Sequence, residues 1–241
     1  MRIQKLLLTL LIVTTTLSIA DAQNWWKNRI KGEGDVEKQT LDVEAFDGFT
    51  LAVSANLYVR QGDKHEIVVK AQPNIIDNIM LKMDGDHLKI TYDRPVWRSK
   101  GITIYMTTPS LDKIGVSGSG NVSGDGKFTN LGELKVMVSG SGNVTFDCEA
   151  QSVYAKISGS GNVNLGGSGS SLTGQISGSG NLKAGDMEVA DASVKVSGSG
   201  NVYVHATESL EASVSGSGDI KYKGRPRLKA KSSGSGNISS I

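Results

Sequence analysis

The chain has 241 residues, with 26 Lys and Arg against 24 Asp and Glu, and this length allows one or two domains. The near-zero charge balance excludes a strongly basic nucleic-acid binder and an acidic disordered chain. Aromatic residues make up only 5% of the sequence, and it contains 1 Cys. The low aromatic content argues against a large core built on aromatic side chains. The single Cys excludes a disulfide scaffold and a cysteine zinc site.

The first 22 residues have the pattern of a secretory signal peptide. Arg2 and Lys5 form a positive start, an uncharged apolar run extends from residue 6 to residue 20, and Ala20 and Ala22 are the small residues of a cleavage site. The apolar run is shorter than the roughly 20 residues that span a bilayer. We predict cleavage after Ala22 and export of a soluble protein to the periplasm, the cell surface or the medium. An uncleaved anchor is the alternative.

Residues 23–40 are predicted to form a mobile junction, and residues 41–110 to form irregular β coils. Alternating apolar residues predict five strands, and only Pro73 to Met80 is typical of a helix, with Pro in the first turn. We interpret the region as the irregular N-terminal cap of a larger β domain; a separate small β domain is the alternative. The predicted strands are Phe49–Val53, Asn56–Arg60, His65–Lys70, Leu88–Tyr92 and Ile102–Met106.

Residues 111–241 contain seven copies of one phrase, Ser-Gly-Ser-Gly-Asn, with Asp as the last residue of the sixth copy. Successive copies begin 22, 19, 19, 20, 18 and 18 residues apart, and a fixed period near 20 is the signature of a solenoid. Alternating apolar residues flank the copies, so each coil contains strands with one buried face. This pattern predicts an all-β fold, a parallel β-helix. The phrases start at Ser117, Ser139, Ser158, Ser177, Ser197, Ser215 and Ser233.

The geometry of the phrase has two interpretations. In the first, it is a nearly straight strand whose Gly face inward, where a neighbouring wall leaves no room for a side chain. In the second, the Gly form a sharp corner and the Asn adopts a left-handed conformation. Both interpretations stack one copy on the next at about 4.8 Å.

The Ser and Asn of the phrase are the candidate ligand-binding residues. If they face solvent, they form a row of hydroxyls and amides, about 29 Å long, that can hydrogen-bond a glycan. The alternative is that Asn stacks on Asn and satisfies the backbone at the corners. The candidate residues are Ser119, Asn121, Ser141, Asn143, Ser160, Asn162, Ser179, Asn181, Ser199 and Asn201.

We expect no catalytic residues, metal or cofactor. His65, His87 and His205 have no His or Cys at ligand spacing, and the repeats carry only isolated carboxylates. Neutral Asn at the repeated position argues against a chain of calcium sites. Cys148 is interpreted as a small buried hydrophobic residue.

Several features together carry a family resemblance. They are the signal peptide, Phe46 and Phe49, the segment Pro73–Met80, the segment Thr107–Leu111 and the Gly-Ser-Gly-Asn repeats. Over roughly residues 41–241 the chain resembles the putative auto-transporter adhesin family with the head GIN domain. The resemblance implies a right-handed β-solenoid in the bacterial envelope. The repeats continue to Ile241 without a C-terminal translocator, so self-export is not expected.

The expected function is that of an exported, non-catalytic adhesin that binds a surface, a glycan or an envelope protein, without nucleic acid and without a membrane span after signal cleavage. Two alternatives remain open. A carbohydrate-active β-helix enzyme would need a pair of carboxylates from different coils in one groove. A purely structural periplasmic element would need no ligand.

Overall fold

The computed structural model describes residues 29–241. The predicted signal peptide and the first six residues of the predicted junction lie outside the described residues. Within residues 29–241, no helix is long and apolar enough to cross a membrane.

The second half of the chain forms stacked parallel coils, in a solenoid of about 7 turns. Each strand pairs with the equivalent strand of the next coil, so that Val116 lies opposite Val138 and Val138 lies opposite Ile157. The predicted parallel β-helix is therefore confirmed. Its strands are β10 (Lys113–Gly118), β11 (Asn121–Gly140), β12 (Asn143–Gly159), β13 (Asn162–Gly178), β14 (Asn181–Gly198), β15 (Val202–Gly216), β16 (Ile220–Lys223), β17 (Arg227–Gly234) and β18 (Ile238–Ser240).

The strands before the first repeat continue this stack. They are β2 (Glu37–Leu41), β3 (Gly48–Leu51), β4 (Asn56–Gln61), β5 (Glu66–Ala71), β6 (Ile79–Asp84), β7 (His87–Tyr92) and β9 (Thr103–Thr108). β3 pairs in parallel with β10 and with β7, and β4 pairs in parallel with β11 and with β9. Antiparallel strands are then added, since β5 pairs with β9, β2 with β5, and β6 with β7. Two short strands, β1 (Ile30–Lys31) and β8 (Val96–Arg98), form a separate parallel pair.

The predicted helix is shorter than expected. Helix α1 comprises Pro73–Ile76, and from Ile79 the chain forms β6 instead. Ile79 to Asp84 pair residue by residue with β7, so sheet pairing decides the conformation of Ile79 and Met80, the last two residues of the predicted helix.

The core is a thin column of small and medium apolar side chains, which come from alternate positions along each strand. Two larger rings, Phe128 and Phe146, pack against each other with their centroids 4.8 Å apart. Cys148 on the same strand as Phe146 is fully buried, as the sequence predicted. Burial raises the pKa of its thiol to about 11, with a smaller contribution from the charge of Asp147, so the unreactive thiol form is favoured at neutral pH.

Candidate functional site: the repeat corner

The first Gly of every phrase forms a sharp corner of its coil. All seven of these glycines have φ between 109° and 135°, a region that residues with a side chain rarely adopt. The carbonyl of Gly118 accepts hydrogen bonds from the backbone N–H groups of Ser141 and Gly142 in the next coil, both at 2.9 Å. The same double hydrogen bond recurs up the stack, and the last joins Ser235 and Gly236 to the carbonyl of Gly216.

The second Gly of the phrase faces inward, where the preceding coil comes very close. A Cβ atom on Gly161 would lie 2.2 Å from the carbonyl oxygen of Gly142 and 2.6 Å from a methyl group of Val138. Each interpretation of the phrase therefore describes one glycine: the first makes the corner and the second faces a close wall. The left-handed Asn of the second interpretation is wrong, because the only non-glycine residue with positive φ in the described part of the chain is Asn130.

We expect Gly161→Ala to destabilise the protein by about 1–3 kcal/mol, because the added methyl group must displace the backbone of the neighbouring coil. Chemical denaturation measures the change in the free energy of unfolding. Gly132→Ala is the matched control, since a Cβ there meets nothing within 4 Å. Equal stability of the two variants would contradict the close packing at the second Gly.

The Asn residues form a continuous hydrogen-bonded ladder along the corner. The side-chain nitrogen of Asn162 donates to the side-chain oxygen of Asn143 at 2.9 Å, and Asn181 donates to Asn162 at 2.8 Å. The ladder begins before the first repeat, at Asn56 in β4, whose side chain accepts a hydrogen bond from Asn121. The remaining side-chain contacts join Asn143 to Asn121 and Asn201 to Asn181.

Asn56 was not among the residues singled out from the sequence, because no Gly-Ser phrase precedes it. The available signal is the pair Asn56-Leu57, which resembles the last residue of the later phrases and the apolar residue after it, as in Asn121-Val122 and Asn181-Leu182. At the other end of the ladder, Asp219 replaces Asn. Its backbone N–H donates to the side chain of Asn201 at 3.0 Å, and its carboxylate accepts from the backbone N–H of Asn237 at 2.9 Å.

The second Ser of the phrase lies at the tip of the corner, exposed to solvent. The Asn two residues later is half-buried in each of the first five phrases. The structure therefore brings all ten predicted residues to one edge of the solenoid, as a row of hydroxyls beside a row of amides. Successive members of a row lie on neighbouring strands, about 4.8 Å apart. The exposed hydroxyls belong to Ser119, Ser141, Ser160, Ser179 and Ser199.

The wall that leads into the corner carries exposed positive charge. Lys156, Gln175 and Lys195 lie opposite one another on three neighbouring strands. Together with Ser177 and Ser197 they line a shallow groove of about 250 Å³. A chain-like ligand at the corner would therefore meet hydroxyls, amides and two lysines, and the lysines favour acidic groups on that ligand.

The carboxylates of the central coils do not lie opposite one another on neighbouring strands. Asp147 lies opposite Gly166, and Gly166 lies opposite Asp186. In the same way, Ser168 separates Glu149 from Glu188. Within residues 29–241, no group of three or more His, Cys, Asp and Glu residues is placed to hold a metal ion.

The histidines take part in local contacts. His87 contacts the hydroxyl of Thr50 at 2.8 Å, and burial lowers the pKa of its imidazole, with a smaller effect of Lys113. The imidazole of His205 lies 3.7 Å from the carboxylate of Glu188. His65 packs edge-on against the ring of Phe46.

Comparisons with known proteins agree with this architecture. Residues 45–226 match the family described as putative auto-transporter adhesin, head GIN domain. A crystal structure of a putative adhesin from Bacteroides fragilis NCTC 9343 is similar, with a TM-score of 0.84 and 27% identity over 88% of this chain and 100% of that one. A putative lipid binding protein from Parabacteroides distasonis ATCC 8503 has a TM-score of 0.72 and 25% identity, covering 88% of this chain and 99% of that one. No curated protein matches the chain.

The stacked parallel coils define a β-solenoid domain. The chain belongs to the putative auto-transporter adhesin family with the head GIN domain, because the match extends over residues 45–226 of its 241 residues. The family resemblance seen in the sequence is thereby confirmed.

We expect Asn162→Ala to destabilise the protein by about 1–3 kcal/mol, because the half-buried amides of Asn143 and Asn181 each lose a hydrogen-bond partner. Thermal or chemical denaturation measures the change. Ser160→Ala in the same phrase is the control, since it removes only an exposed hydroxyl and should leave the stability unchanged. A fully stable Asn162→Ala protein would show that the ladder does not hold the coils together.

Proposed function

We propose that the protein is a non-enzymatic adhesin of the bacterial cell envelope that binds an extended glycan along the repeat corner. The observation that carries this proposal is the row of five exposed Ser hydroxyls beside the Asn ladder, repeated on successive coils. A hydroxyl can donate and accept hydrogen bonds, as sugar hydroxyls do, so the row offers complementary partners to any stretch of glycan.

The spacing of the row also suits a sugar chain. Neighbouring strands lie about 4.8 Å apart, close to the length of one sugar ring, so each ring along a glycan can meet an equivalent set of groups. The glycine corners are fixed by backbone hydrogen bonds between coils, which keeps the row straight before any ligand arrives. A preorganised surface loses little conformational entropy on binding.

The two kinds of side chain have separate roles in this proposal. Each ladder bond uses one of the two hydrogens of an Asn amide, and the half-buried amide keeps contact with solvent. The Ser hydroxyls lie further out and provide the first contacts with the glycan. Lys156 and Lys195 beside the corner favour glycans that carry acidic groups.

The proposal predicts that replacing Ser141, Ser160 and Ser179 by Ala together weakens glycan binding about tenfold, a loss of about 1.4 kcal/mol. Co-sedimentation with insoluble peptidoglycan sacculi, and titration with purified cell-surface polysaccharide, measure the affinity. Ser168→Ala with Ser170→Ala is the matched control, because these two exposed hydroxyls lie on a different wall of the solenoid.

Unchanged denaturation curves would show that the triple variant is folded. The proposed role of the corner would be contradicted if the wild-type protein bound neither the sacculi nor the polysaccharide. It would also be contradicted if the triple variant and the control bound equally well.

An adhesin must also reach the outside of the cell. We predict that protease added to intact cells digests the protein while a periplasmic marker survives. Protection until the envelope is broken would overturn the surface location and direct the search to periplasmic glycans.

A further inference from the structure

Two tyrosines, which are not part of any Gly-Ser phrase, form an exposed aromatic pair in the N-terminal coils. Tyr58 of β4 and Tyr105 of β9 lie opposite each other on neighbouring parallel strands. Their rings are stacked, with centroids 5.8 Å apart and an interplanar angle of 22°. Each residue is 42% exposed, so a large part of this aromatic surface remains in contact with water.

Positively and negatively charged side chains surround the pair of rings. The ammonium group of Lys38 lies 5.7 Å from the centre of the Tyr105 ring. The guanidinium of Arg60 donates a hydrogen bond from Nε to the hydroxyl of Thr107 at 3.0 Å, which fixes its position beside the rings. Glu66 and Asp125 provide two carboxylates, and all these groups line one open groove of about 230 Å³.

The position of Asp125 depends on a local irregularity of β11. The pairing of β11 with β12 breaks between Ser123 and Lys127, and Gly126 within the break has φ of 94°. A regular strand would have continued the ladder here. The break instead brings the carboxylate of Asp125 to the groove that the two tyrosines line.

We propose that this groove is a second carbohydrate site, which binds one neutral sugar ring against Tyr58 and Tyr105. The C–H face of a pyranose is apolar and packs on an aromatic ring, while its equatorial hydroxyls need donors and acceptors at the rim. Lys38 and Arg60 are the donors. Asp125 and the second carboxylate oxygen of Glu66 are the acceptors, since the first oxygen of Glu66 accepts a hydrogen bond from Lys64. The lining carries two positive and two negative side chains, so the charge balance favours a neutral sugar over an acidic one.

The groove lies on the same outer face as the Asn ladder. Tyr58 follows Asn56 by two residues, and Asn56 is the first member of the ladder. On the neighbouring strand, Ser123 lies opposite Tyr58 and Asn121 lies opposite Asn56. The site therefore extends the proposed function with a separate set of contacts, and its binding does not require the Ser row.

Saturation-transfer NMR tests this site with the full mature protein. The probes are neutral trisaccharides of glucose, mannose, galactose and N-acetylglucosamine, tested one at a time, and an oligogalacturonide as the acidic comparison. We expect transfer to the C–H protons of at least one neutral probe. Tyr58→Ala and Tyr105→Ala should each weaken its binding about tenfold or more, the ratio that corresponds to about 1.4 kcal/mol.

Tyr203→Ala is the matched control, because Tyr203 also lies beside a lysine, with the Lys221 ammonium 5.8 Å from its ring, but in a coil near the other end of the stack. This variant should bind the probe as the unaltered protein does. A purely structural cross-strand pair would change only the denaturation curves of the Tyr58 and Tyr105 variants and leave probe binding intact.

Three results would overturn the proposal: transfer to no neutral probe, transfer only to the acidic probe, or binding that survives both tyrosine substitutions. The triple variant in which Ser141, Ser160 and Ser179 are replaced by Ala distinguishes failure of the groove proposal from failure of the proposed glycan binding at the repeat corner. It should keep the trisaccharide signal, even if the corner itself binds no polysaccharide.

Discussion

The two hydrogen bonds that each first-glycine carbonyl accepts from the following coil determine the geometry of the solenoid corner. They require a backbone turn at positive φ, and they draw the next coil so close that the second Gly can have no side chain. The apolar residue before the phrase and the Asn at its end then occupy the same place on each of the first five repeat coils. The core column, the amide ladder and the hydroxyl row all follow from this repeated backbone contact.

The amide ladder and the hydroxyl row differ in what they contribute. The amides are half-buried and bind one another, so their hydrogen bonds favour one register of the coils over a register shifted by a residue. The serines at the tip contact water and can exchange it for another partner. Under the proposed function, stability and recognition thus fall on two different positions of one five-residue phrase, and a change at either position should have a distinct effect.

The repeating part of the fold was predictable because its signal is local and occurs seven times. The inward parity of the apolar residues and the parallel stacking both follow from the phrase and its flanks. The conformation of the Asn was not predictable, since it depends on hydrogen bonds to coils about 20 residues away. Helix α1 is short for a similar reason, because the pairing of Ile79 to Asp84 with β7 outweighs the local preference. The pair Tyr58 and Tyr105 gave no sequence signal, since 46 intervening residues separate them and only the stacking of β4 on β9 brings them together.

Because each coil makes the same contacts with its neighbours, the solenoid behaves as a one-dimensional array. Adding or removing one unit of 18–22 residues would change the length of the polar corner by about 4.8 Å and leave the remaining coils as they are. The number of weak contacts that a long polymer makes with the protein would change by one at each such step. Duplication of a repeat would therefore adjust avidity in small increments, with no new binding residue needed.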